Sequence, residues 1–192
     1  MTIAVYIDSC AWNYLYEHEI VLECELPPSR FAIYVTREVE IELCTIPDVG
    51  RDGLDKRALK AYIKRNIDRS PVKTSSVFGF YSRGPDGTPS PVQVYGGFGV
   101  GTFQSEEERD FYARSEVEHQ TQNRKRTDTG LSKNQADASL AAKSFSAIVL
   151  TNERMNKSGP LKIASDLGGR VVFLSEEVKP SGLTLGEYLN RL

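Results

Sequence analysis

A three-layer α/β/α sandwich around a mainly parallel central sheet, carrying a β-hairpin insertion, is the fold this sequence predicts. Two observations predict it. Short runs rich in Ile, Val and Phe alternate with longer stretches whose apolar residues recur every three or four positions, as strands joined by helices do. Two of the short runs stop on or just before an acid, Asp8 and Glu153, at the place where open α/β sheets build their sites.

The run Thr2-Ile-Ala-Val-Tyr-Ile-Asp-Ser9 reads as a buried parallel strand that turns into a helix at Cys10-Ala-Trp-Asn-Tyr-Leu15. Asp-Ser is also ordinary turn chemistry, so Asp8 gains meaning only if other acids converge on it. Trp12, Leu15, Ile20 and Leu22 suit one or two helical turns before the break at Pro27-Pro28, and His18 reads as a surface residue. Phe31-Ala-Ile-Tyr-Val35 is the second strand. Thr36 then caps a helix with Val39, Leu43 and Ile46 on one face. Glu38 and Glu42 stand one turn apart on it, so either can lean over the end of the first strand, and both also suit a solvated helix start.

A helical pattern follows from Asp52 to Asp68 through Leu54, Leu59, Tyr62, Ile63 and Ile67. Its Lys60 and Lys64 are candidate nucleic-acid contacts, against the plainer reading of a solvated charged face. Val77–Arg83 and Val92–Gly101 flank the Gly- and Pro-rich Gly84–Pro91, which predicts an inserted β-hairpin. Its glycines match no phosphate-binding loop. Ser105-Glu-Glu-Glu108 is a capping box opening a polar helix that runs toward Arg124-Lys125-Arg126, a second candidate nucleic-acid patch. Ser132-Lys-Asn-Gln135 opens another helix through Ala136, Leu140, Ala141 and Phe145, and Asp137 on this Ala-rich surface asks for a reason. Ala147-Ile-Val-Leu-Thr151 is a buried strand running into Asn152-Glu153. Gly168–Leu174 predicts one more strand, and Thr184-Leu-Gly-Glu187 caps a last helix bearing Leu185, Tyr188, Leu189 and Leu192.

All 192 residues are expected to form one domain, with the inserted hairpin and helical segment at about 70–130. Lys+Arg 24 against Asp+Glu 26 gives no global field for polyanions, so nucleic-acid contact would rest on local basic patches. Cys10, Cys24 and Cys44 are an odd set without Cys-x-x-Cys spacing, which argues against a zinc site or a disulfide framework. No apolar run approaches the roughly 18 residues of a membrane span and no signal-peptide pattern opens the chain, so the expectation is a cytoplasmic protein without membrane contact.

Asp8 and Glu153 at strand ends, with Glu42 and Asp137 on helices, are what a cluster of hard-cation ligands needs, because Mg2+ and Mn2+ prefer carboxylate and water oxygen. Such ions activate water and neutralise charge on a phosphodiester without a protein nucleophile.

Asp8-Ser9 after the first strand, Val35-Thr-Arg-Glu-Val-Glu-Ile-Glu-Leu43, Ala136-Asp-Ala-Ser-Leu-Ala-Ala142 and Val149-Leu-Thr-Asn-Glu153 resemble the ordered acidic motifs of PIN domains, the group that includes VapC-type toxins. The likeness covers the N-terminal third and about Ser132 to Leu174. It implies that Asp8, Glu42, Asp137 and Glu153 are metal-binding and catalytic, with Ser9 and Thr151 or Asn152 as polar neighbours, and it favours Glu42 over Glu38. It further implies Mg2+- or Mn2+-dependent cleavage of single-stranded RNA, and for many members a homodimer and an antitoxin partner. This chain departs from the family in its last acid, Glu where Asp is usual, and in a longer stretch between Glu42 and Asp137. Two rivals stand beside this reading. A haloacid-dehalogenase-type phosphatase requires a second Asp where this chain has Cys10. A non-catalytic PIN-like module would keep the fold and hold RNA or a protein.

Overall fold

A computed structural model describes residues 2–50, 53–75, 105–121 and 129–192. In chain order the elements are β1 (Ile3–Ile7), α1 (Ala11–Glu17), α2 (Leu22–Glu25), β2 (Phe31–Val35), α3 (Arg37–Cys44), α4 (Arg57–Arg69), β3 (Lys73–Thr74), α5 (Glu106–Tyr112), α6 (Ser115–Thr121), α7 (Gln135–Lys143), β4 (Ile148–Thr151), α8 (Pro160–Asp166) and β5 (Val171–Phe173). A π-helical turn at Leu174–Val178, α9 (Lys179–Ser181) and α10 (Leu185–Leu189) complete them. The sheet has the order β3-β2-β1-β4-β5, and every pairing is parallel.

Parallel strands buried on both faces need apolar residues at successive positions, and β4 and β5 show it. Ile148, Leu150 and Val172 enter one core with Trp12 and Leu15 of α1, Leu22 of α2, Tyr62 and Ile63 of α4 and Leu185 of α10. Val149, Val171 and Phe173 enter the other, with Val39 of α3, Phe111 of α5, Val117 of α6, Leu140 of α7 and Leu161 of α8. Helices therefore cover both faces of the sheet, as a three-layer sandwich requires. Among the described residues no helix is long and apolar enough to cross a membrane.

Several elements depart from expectation for local reasons. The helix expected from Asp52 begins at Arg57, and Leu54, placed on its apolar face by sequence, is 64% exposed beside the Val49–Asp55 bridge. The helix expected to run from Ser105 toward Arg124 is broken into α5 and α6 at Ala113-Arg114. Phe111 and Val117 are both buried, and six residues of α-helix turn through about 600°, so one straight helix cannot aim both at the same core. Ser105 does cap α5, accepting from Glu108 N–H at 3.2 Å. Ser132 was expected to cap α7. Instead Asn134 holds that place with φ +63°, a left-handed conformation Asn tolerates, and Ser132 N–H donates to Gln135 Oε1 at 3.0 Å. Leu192 lies beyond α10 and is 65% exposed. The two-residue β3 and the helix α8 were not anticipated. Val77–Gly101, the expected hairpin, and Arg124-Lys125-Arg126 lie outside the described residues.

One charged contact fixes α5 on α7. Lys143 Nζ sits 2.9 and 3.0 Å from the two Glu108 oxygens, with side chains only 15% and 5% exposed. Lys143→Met leaves that carboxylate buried without its cation and is expected to lower the unfolding free energy by about 3 kcal/mol in urea titration. A loss below about 0.5 kcal/mol would mean that water takes over the role of the lysine.

Candidate functional site

Chain connections leave β1 and β4 in opposite directions across the sheet, β1 toward β2 and β4 toward β5. Their adjacency is the switch point of the sheet, where the loops diverge and leave a crevice beyond the carboxyl ends. Asp8 follows β1 and Glu153 follows β4 by two residues, so both acids fall at this crevice.

Asp8 N–H continues the ladder to Leu150 C=O at 3.0 Å, and its own carbonyl accepts from Ala11 N–H at 3.1 Å, turning the chain into α1. Its side chain is 2% exposed and surrounded by donors. Thr151 Oγ1 donates to Oδ2 at 2.7 Å and Cys10 Sγ to the same oxygen at 2.9 Å. Ser9 Oγ lies 3.4 Å from Oδ1 but only 2.7 Å from Glu42 Oε2. A hydroxyl has one proton to give, and the shorter contact takes it, so Ser9 draws Glu42 of α3 toward Asp8. Thr151 Oγ1 also accepts from Glu153 N–H at 3.1 Å, linking the two strand-end acids.

Asp137, in the first turn of α7, completes a cavity of about 250 Å³ lined by Asp8, Glu42, Asp137 and Glu153 together. Four carboxylates from four parts of the chain share one wall, and Lys133, Asn134, Lys157 and Cys10 share it with them. Lys157 Nζ forms an ion pair with Glu153 Oε1. Burial, and then the neighbouring Asp8 carboxylate, push the Cys10 thiol far above its ordinary range, so it stays protonated and acts as a donor. Asn152 N–H in turn donates to Cys10 Sγ at 3.2 Å. Asn152 Oδ1 accepts from Ser175 at 2.6 Å, so of the two polar neighbours suggested by sequence Thr151 is the one that touches the acids.

Glu38 goes elsewhere. It accepts from Ser139 Oγ at 2.8 Å in a small crevice with Glu108 and Lys143, while Glu42, one turn later, faces the acid cavity. Lys60 and Lys64 line a separate cavity of about 480 Å³ with Val35, Leu43 and Ile67, and Lys60 pairs with Asp48 at 2.5 Å. Sequence reading missed Cys10, Lys133, Asn134 and Lys157. Cys10 had a usable signal, two residues past a strand-end acid in the same turn.

Hard oxygen donors line this cavity, and the thiol beside them is held neutral, so the donor set suits a hard divalent cation. Among the described residues, no three His, Cys, Asp or Glu side chains are already gathered closely around one ion-sized point. The fold and site together define a parallel α/β protein with an acid-lined cavity at its switch point. In comparison with known proteins, no family model, curated protein or solved structure matches the chain.

Thr151→Val keeps the shape and removes the hydroxyl's contacts with Asp8, Glu153 and Cys10. Because Asp8 is buried, the loss of its shortest hydrogen bond is expected to cost about 2 kcal/mol of stability by urea titration. A variant as stable as the parent would show that Cys10 suffices to hold the carboxylate.

Proposed function

We propose that this chain is a Mg2+- or Mn2+-dependent nuclease that hydrolyses phosphodiester bonds in single-stranded RNA. The observation that carries the reading is the convergence of Asp8, Glu42, Asp137 and Glu153 on one cavity at the switch point, from positions spread over most of the sequence. A wall of four carboxylates carries mutual repulsion that a divalent cation relieves. The choice of RNA draws on the resemblance of the ordered acidic motifs to PIN domains. An inhibitory antitoxin and a homodimer enter the proposal on the same likeness.

In this reading the four acids would hold the ion or ions, which supply a polarised water and neutralise charge on the leaving oxygen. Thr151 and Cys10 fix Asp8 by occupying Oδ2, which leaves Oδ1 as the oxygen on the side of Ser9. Ser9 keeps Glu42 turned inward. Lys60 and Lys64 are proposed as strand contacts on the neighbouring cavity that also borders α3. A non-catalytic module is the second reading, favoured by one observation, the lysine already paired with Glu153.

Thermal melting with Mn2+ separates the two. A ligand at a hundred times its Kd stabilises by about 2.7 kcal/mol, so millimolar Mn2+ should raise the melting temperature of the parent protein. Asp8→Asn and Asp137→Asn are expected to remain folded, to lose that response and to cut single-stranded RNA about a hundredfold more slowly or worse. A parent protein that Mn2+ does not stabilise, and that leaves RNA intact, would decide for the binding module.

Glu38→Gln provides an internal comparison. Its carboxylate is engaged with Ser139, away from the acid cavity, so cleavage and Mn2+ response are expected to stay within about twofold of the parent. Loss of both in Glu38→Gln, with Glu42→Gln unaffected, would transfer the ligand role from Glu42 to Glu38.

A further inference from the structure

Lys157 is a cation that the chain itself delivers to the acid cavity. It lies in the loop between β4 and α8, at the end of a turn closed by Lys157 N–H to Arg154 C=O at 2.9 Å. Met155 N–H donates to Glu176 Oε2 at 2.9 Å, so the turn is tied down at its middle. Its ion pair with Glu153 is lopsided: the lysine side chain is 53% exposed and the glutamate only 13%. Glu153 belongs to the wall, whereas the ammonium reaches it from solvent on a flexible four-carbon stem. The buried Lys143–Glu108 pair, with both side chains 15% exposed or less, has no such freedom.

We propose that Lys157 is a displaceable counter-cation. It neutralises Glu153 while the cavity holds no metal, and when a divalent ion takes over that carboxylate the freed ammonium binds a phosphate oxygen of the nucleic-acid strand. The inference rests on the nuclease reading and adds to it a strand contact inside the cavity. Charge favours the exchange: two cations held on Glu153 repel each other, and the lysine, on its flexible stem, can withdraw into water. A phosphodiester brought to the cavity then offers the released ammonium a new anionic partner. Lys133, on the same wall, is a second positive group beside the strand.

The test compares Lys157→Ala with Lys162→Ala. Lys162 also pairs with an acid four residues away, Asp166, but on α8 and not on the cavity wall, so it controls for the loss of any such pair. Mn2+ affinity is read from thermal melting, and strand binding from the anisotropy of a short single-stranded RNA with Ca2+ in place of Mn2+, over a range of salt. Lys157→Ala is expected to bind Mn2+ roughly two- to fivefold more tightly, because the ion no longer has to break an exposed ion pair. It should bind the RNA more weakly, with a salt slope shallower by about 0.7, the value for one lost phosphate contact on a single strand. Lys162→Ala should match the parent in both. Unchanged or weaker Mn2+ binding in Lys157→Ala overturns the displacement, and an unchanged RNA salt slope overturns the phosphate contact. A parent protein without any Mn2+ response removes the nuclease reading and this inference with it, whereas a parent that responds identically to Lys157→Ala removes this inference alone.

Discussion

A carboxylate that is 2% exposed has to be surrounded by donors, and meeting that requirement for Asp8 organises the whole carboxyl end of the sheet. The main donor, Thr151, stands 143 residues away in sequence and is brought alongside only because β1 and β4 pair in one particular register. Side chains alternate between faces along a strand, so a slip of one residue would turn the Thr151 hydroxyl away and leave Asp8 short of a partner. Cys10 and Ser9 follow from the turn that Asp8 itself closes with Ala11. Glu42 follows in turn from Ser9. The geometry of the acid cavity is thus inherited from a backbone ladder.

The cavity wall has two halves of different character. Asp8, Thr151, Cys10, Ser9 and Glu42 form a connected set of hydrogen bonds at the ends of two central strands. Asp137 and the Glu153 carboxylate belong to the other half, with Glu153 joined to the first only through its N–H on Thr151, and the position of each depends on a loop. Asp137 enters after Asn134, whose left-handed backbone sets the direction in which α7 begins. Glu153 sits at the head of the loop that carries Lys157. Such a division suits a site that must hold one group firmly and still admit another, because adjustment falls to a side chain at a helix start and one on a loop.

Much of this was readable from residues alone, and the exceptions have physical causes. Apolar runs mark β1, β2, β4 and β5: β4 and β5 are buried at every position, and β1 and β2 combine buried with half-buried residues that are apolar throughout. β3 was invisible because Lys73-Thr74 is a two-residue edge strand whose pairing with Tyr34 and Val35 leaves no trace in composition. α8 carries a proline at its first position and few residues in all, too short for periodicity to show. The four acids were legible as strand-end and helix-borne carboxylates, yet spacing alone left Glu38 and Glu42 equivalent. What separates them is Ser9 on one side and Ser139 on the other, contacts between segments far apart in the chain. Cysteine spacing carries no sign of Cys10, because its role comes from burial beside a carboxylate.

Because β1 is completed by a strand far along the chain from it, assembly of the cavity is also ordered in time. A growing polypeptide can pair β1 with β2 soon after Val35 emerges, but the opposite edge of β1 waits for Ile148. At synthesis rates of roughly 5–20 residues per second that wait lasts on the order of ten seconds, during which that edge of β1 is without its native partner. A chain released early would contain Asp8 and Glu42 but neither Thr151 nor Glu153. Such copies lack the cavity, and whatever chemistry it performs begins only after the segment carrying Thr151 and Glu153 has been made.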